Sequence, residues 1–144
     1  MAEHWSGSGT PVDPWVLKTA PLSSSYTIYR DLSEPALLVC QVGTTKLTYL
    51  ARAIEDLHRE LVLRDDWVPL GAADEQKAAS EGSVEAWGRS TDNPVGGWYG
   101  QRKGYRGRFA MYLPPLLEAL GLVELEHNPR NNRVRAITPP GPKP

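Results

Sequence analysis

A single cysteine, Cys40, excludes any intramolecular disulfide and with it a secreted fold stapled by such bonds. The apolar run that holds it, Ala36-Leu37-Leu38-Val39-Cys40, predicts a buried and inert thiol. No apolar segment reaches the roughly 20 residues that span a bilayer, so no membrane partner is expected. The N-terminus lacks the charged and apolar regions of a signal peptide, and a cytoplasmic location is the expectation. His4, His58 and His127 lie far apart, and no His or Cys spacing resembles a metal site. Neither Gly-x4-Gly-Lys-Ser/Thr nor Gly-x-Gly-x-x-Gly occurs, which argues against a phosphate-binding P-loop or a dinucleotide fold. No metal, cofactor or catalytic residue is therefore predicted. Glu85, Asp92 and His127 are the acid-base groups an enzyme would draw on, and nothing in the sequence brings them together.

What the chain does have is a segregation of charge. The 144 residues, 40% hydrophobic and 23% charged, suit one soluble domain with a core of its own. The net charge is −1, yet residues 1–100 carry eight Lys and Arg against fourteen Asp and Glu, whereas residues 101–137 carry seven against three. Screening confines exposed charges to a reach of about 8–10 Å, so a local basic face attracts a polyanion even on a slightly acidic protein.

Residues 1–25, with Ser6-Gly7-Ser8-Gly9 and Ser23-Ser24-Ser25, are expected to form a flexible arm pinned by Trp5 or Trp15. A single domain is expected over 26–137 and a disordered Pro-rich tail over 138–144. Tyr26 to Tyr29 and Ala36 to Val42 predict two strands, the second buried on both faces. Leu47, Leu50, Ala51, Ile54, Leu57, Leu61 and Val62 recur at helical spacing behind Thr44-Thr45, predicting a helix over 46–64 with His58 at its boundary. Pro69 confines Trp67 to Leu70 to a sheet edge. One or two helical turns are expected over 74–79, and Ser83 is expected to cap a further turn that sends Trp87 into the core.

A loop from Ser90 to Arg108 then carries Gly96, Gly97, Gly100, Gly104 and Gly107. In it Arg102, Lys103, Arg106 and Arg108 lie among Trp98, Tyr99 and Tyr105. Cations suit phosphates, flat rings suit bases, and glycine lets backbone amides come close. The alternative is a solvated basic loop whose arginines pair with the acidic remainder of the chain. Phe109, Tyr112, Leu113, Leu116, Leu117 and Leu120 predict a helix, either kinked at Pro114-Pro115 or starting there, and Gly121 ends it. Leu122 to Glu126 and Arg133 to Ile137 alternate around a six-residue turn, predicting a hairpin in which Glu124 and Glu126 face Arg133 and Arg135.

Leu113-x3-Leu117-x2-Leu120-Gly121-Leu122-Val123, followed by the hairpin with Arg130 and Arg133 and ending Val134-Arg135-Ala136-Ile137, resembles the second half of a winged helix-turn-helix domain. The upstream order of helix, short strand and helix is similar to that family from residue 46 onward. The resemblance implies an α+β fold, winged-helix-like, with three helices, a C-terminal β-hairpin wing and an additional N-terminal β element. It also implies a helix in the DNA major groove and a wing on the backbone or minor groove. A small bacterial family without an assigned activity is the expected source.

The function expected is that of a small DNA-binding protein of regulatory type, with DNA preferred to RNA and backbone contacts predominating. Arg102, Lys103, Arg106 and Arg108 would contact phosphates, Trp98 and Tyr105 would stack, and Arg130, Asn131 and Arg133 would contact backbone or minor groove. The alternative is a protein-protein interaction module or homodimeric scaffold of the same fold, since Trp and Tyr are favoured at interface cores. A third class is a binder of a small anionic ligand, or an enzyme, with the loop from Asp92 to Arg108 closing over a metabolite.

Overall fold

The computed structural model describes residues 5–137, so His4 and the predicted tail over 138–144 lie outside the described residues. The first half of the chain builds a meander of four antiparallel strands: β1 (Trp15–Lys18), β2 (Ser25–Asp31), β3 (Leu37–Val42) and β4 (Thr45–Leu50), hydrogen-bonded in that order. Alternation turns one face inward, with Trp15, Leu17, Tyr26, Ile28, Leu38, Cys40, Leu47 and Tyr49 buried on it. β1 lies within the stretch expected to be an arm. Its period-two pattern, Trp15 and Leu17 in and Val16 and Lys18 out, places it in the sheet, where it pairs with β2 in the register Trp15↔Ile28.

The second half supplies α1 (Ala53–Arg64), β5 (Val68–Pro69), α2 (Val84–Trp87), α3 (Phe109–Ala119), β6 (Val123–Leu125) and β7 (Arg133–Ala136), with the last two strands and β5 forming a small sheet in the order β5-β7-β6. α3 is the hub. Phe109, Tyr112, Leu113, Leu116 and Leu117 are buried on it, and it packs on β1, β6, α1 and α2. Each such side chain contributes on the order of 1.5–3 kcal/mol. Tyr26 ties the sheet to this helix by donating its hydroxyl proton to the Tyr112 carbonyl at 2.8 Å.

The architecture corrects the winged-helix expectation. The chain is mainly sheet, with a four-stranded and a three-stranded sheet and three short helices, not three helices with a hairpin wing. Three physical causes account for the difference. Residues 45–50, read as the start of a helix, form β4, because Leu47 and Tyr49 both face the core and every residue from Thr45 to Leu50 has a partner on β3. Residues 74–79 form no helix, because other donors take their carbonyls: Arg89 bonds the oxygens of Ala73, Asp74 and Lys77. α3 runs unbroken through Pro114 and Pro115, yet both prolines and most of its other residues are buried, so it offers no face to a major groove.

Several local expectations match the structure. Cys40 is fully buried, and burial pushes its thiol far above the ordinary range. Ser83 caps α2 by accepting the Ala86 amide at 3.1 Å, and Trp87 stacks on Tyr99. Gly121 closes α3 at φ 77°, a conformation that costs a residue with a Cβ more. In the hairpin Arg133 grips Glu126 and Arg135 bonds Glu124.

Candidate functional site

The basic loop is held from below by a buried ion pair. Glu85, wholly buried, accepts the Ala110 amide on one oxygen at 2.9 Å and Arg89 on the other at 2.7 Å, so one carboxylate serves α3 and a counter-charge together. Arg89 then clamps the 73–77 segment through its carbonyls, and its Nε is buried without a partner among the described residues. The guanidinium groups of Arg89 and Arg106 both lie over the Trp98 ring, 4.4 and 4.7 Å from its centroid. Trp98 is thus a platform for two arginines.

The predicted cations separate into paired and unpaired groups. Arg106 holds Glu75 in a two-pronged ion pair at 3.0 Å, with its backbone amide donating to the same carboxylate at 2.8 Å. Arg108 pairs with Asp74, and Arg133 with Glu126. Arg102 lies over the Tyr105 ring at 4.2 Å and donates to the Lys46 carbonyl. Among the described residues, Arg102, Lys103 and Arg130 form no ion pair. Half of the basic loop is therefore committed to the acidic part of the chain, as the solvated-loop alternative predicts.

The Arg106 guanidinium holds the Glu75 carboxyl down at about 2, from an ordinary 4.5. A carboxyl depressed in the folded state stabilises the fold fully above pH 4.5 and loses that contribution as the pH falls through 2. In urea titrations the stability gap between wild type and Glu75→Gln is accordingly expected to narrow from pH 5 toward pH 2. A gap independent of pH would remove this assignment.

A concave surface runs between the two sheets. Its larger part encloses about 730 Å³, bounded by the turn 19–25, residues 69–72, the first turn of α3 and the loop 130–133. A smaller part of about 270 Å³ adjoins it through Val42, Arg108 and Tyr112, and reaches Tyr105 and Gln76. Arg108, Arg130, Asn131 and Arg133, from two distant segments, line the larger part, and Arg108 lines the smaller part together with Tyr105. Trp98, Lys103 and Arg106 line a separate region beside the glycine loop. The wall contributed by Ser23, Ser24 and Ser25, together with Tyr112, was missed in the sequence; the alternation in Trp15–Lys18 was the signal that this turn joins two strands.

Arg108 sits where the two parts of the cleft meet. It is the N-cap of α3 at φ 60°, a left-handed conformation costing a non-glycine residue about 1–2 kcal/mol. Its amide donates to the Ala73 carbonyl at 2.7 Å. Its side chain bonds Asp74, and the Asp74 carboxylate, with the Tyr112 hydroxyl nearby, raises its affinity for its proton. Asn131, at the opposite rim, is also left-handed at φ 60°, which asparagine tolerates well. Strain of this kind gathers where a side chain is held for use.

A family model matches residues 7–137, nearly the whole described chain. The chain belongs to DUF6855, a family of unknown function. No curated protein and no solved structure matches it. In this member of DUF6855 the three acid-base candidates stand in different surroundings. Glu85 is spent on Arg89 and Ala110, His127 bonds Glu118 and the Ala20 carbonyl, and Asp92 is exposed. Among the described residues no helix is long and apolar enough to cross a membrane.

Proposed function

We propose that this protein binds single-stranded nucleic acid along the concavity between its sheets. The observation that carries the reading is the convergence of Arg108, Arg130 and Asn131, from two separate chain segments, on one cavity, with Tyr105 on the adjoining cavity that Arg108 also lines. Tyr105 is half exposed with Arg102 over one face of its ring, and an exposed ring is what a base stacks on. Arg108 and Arg130 offer guanidinium groups to phosphates, and Asn131 offers an amide. A single strand fits this reading better than a duplex, because α3 is enclosed and Arg108 and Arg130 line a cavity rather than a broad face.

Fluorescence anisotropy with labelled oligonucleotides tests the reading. Three contacts, from Arg102, Arg108 and Arg130, would make log K fall with log salt at a slope of about −2. Arg130→Gln is expected to weaken binding and flatten the slope by about 0.7. Absence of binding by single-stranded DNA and RNA at low salt would falsify it.

A protein partner is the second reading, favoured by one observation. Arg106, Arg108, Arg133 and Arg135 are already bonded to carboxylates, which lowers the potential a polyanion meets. Saturable binding of a protein partner, with none of nucleic acid, would support this reading instead.

A further inference from the structure

We infer that the larger part of the cleft takes one nucleotide bearing a terminal phosphate, the phosphorylated end of a strand, rather than an internal stretch. This rests on the single-strand reading and specifies which part of the strand is recognised. Charge and shape support it independently.

The charge in this part of the cleft suits one phosphate group, not a row of them. Arg108 and Arg133 line it but are balanced by Asp74 and Glu126, so Arg130 is its one cation without an ion pair among the described residues. A terminal phosphate carries about 1.5–2 negative charges, compared with one on an internal phosphodiester, and presents three strong acceptor oxygens. Arg130 and Arg108 carry the N–H groups suited to those oxygens, and Ser23 and Ser24 also line the cavity.

The shape suits the rest of a nucleotide. At about 730 Å³ the space falls within the range of roughly 300–1,000 Å³ typical of small-ligand sites. Its lining is apolar at Pro69, Leu70, Ala110 and Met111, a surface for the flat face of a base.

One wall of the cavity is braced from outside its lining. The turn 19–25 and the segment leading into loop 130–133 are tied together where His127 Nδ1 donates to the Ala20 carbonyl at 2.8 Å, with Glu118 on the other ring nitrogen at 2.6 Å. The ligand chemistry is a nucleoside monophosphate unit, supplied either by a strand end or by a free nucleotide.

The test uses the full chain and one short single-stranded sequence in 5′-phosphorylated, 3′-phosphorylated and unphosphorylated forms, with free nucleoside monophosphate and inorganic phosphate in parallel titrations. One phosphorylated end is expected to bind about ten-fold to hundred-fold more tightly than the unphosphorylated strand. Arg130→Gln is expected to weaken the binding of all three strands and to abolish the preference for the phosphorylated end, so that the three affinities converge. Arg130 is exposed, so an unchanged melting temperature certifies that the variant is folded. Equal affinity for all three strands overturns the end inference but leaves single-strand binding intact. Binding of the free nucleotide and of no strand supports the pocket chemistry and overturns the strand reading. Binding of none of these probes overturns both.

Discussion

Glu85→Ala is expected to cost about 3–5 kcal/mol of stability, the usual consequence of leaving one member of a buried ion pair without its counter-charge. Glu85 is 0% exposed and the Arg89 side chain 13% exposed, so solvent does not replace the missing carboxylate. The substitution also strips the Ala110 amide of its acceptor at the start of α3. Against a total stability of about 5–15 kcal/mol this is a large fraction, and the melting temperature should fall by on the order of 10 °C. Calorimetry on Glu85→Ala and Glu60→Ala compares like with like, since Glu60 pairs with Arg64 at the same i,i+4 spacing but with both side chains 28% exposed. The Glu60 variant should lose no more than about 1 kcal/mol. Equal losses would refute the role given to Glu85. Replacing Glu85 and Arg89 together by apolar residues should recover part of the deficit, because the desolvation of both charges is then avoided.

Gly107→Ala is the second substitution of large expected effect, and it separates fold from site. A Cβ at this position would lie 2.3 Å from the Glu75 nitrogen and 2.5 Å from the Asp74 carbonyl carbon, both backbone atoms that cannot swing aside. The two segments must part, at a cost of about 1–3 kcal/mol or somewhat more. The flanking residues Arg106 and Arg108 hold Glu75 and Asp74, so the same displacement loosens both ion pairs and moves Arg108 away from the cleft. Hydrogen exchange should quicken at the Arg106 and Arg108 amides, which donate to Glu75 and to the Ala73 carbonyl, while the β2–β3 amides keep their protection. Binding in the cleft should weaken in parallel. Unchanged exchange at both loop amides would show that the close approach is not needed.

Those two positions illustrate how far the sequence could be read. Where a feature depended on neighbours along the chain, the residues were informative. The Ser83 cap, the stop at Gly121, the buried run around Cys40 and the pairing of Glu124 and Glu126 with Arg135 and Arg133 follow from local chemistry, and each is present. Residues 45–50 were misread because Leu47 and Leu50 satisfy a helical period as well as they satisfy β4, and only pairing with β3 decides between them. Residues 74–79 failed as a helix because Arg89, more than ten residues away, takes three of the carbonyls in and beside that stretch.

The candidate site divides along the same line. Its residue types were visible in the sequence: cations and aromatic rings spaced by glycine, and a basic turn at Arg130. Which cations remain available was not visible, because the carboxylates that claim Arg106 and Arg108 lie over thirty residues upstream. The Ser23–Ser25 wall was hidden for a similar reason, since a serine run reads as loose chain until β1 and β2 hold both its ends.

By itself, then, the sequence determined the chemistry on offer: one inert thiol, a basic loop before an apolar helix, and a polar hairpin with a free arginine at its tip. The tertiary structure decided the strand-rich architecture, the pairing of half the cations and the meeting of Arg108 with Arg130 in one cleft. The reason is physical. Caps, turns and cross-hairpin pairs are contests among a few neighbouring groups, whereas an ion pair or a shared cleft depends on which distant surfaces burial brings together, and periodicity along the chain does not record that.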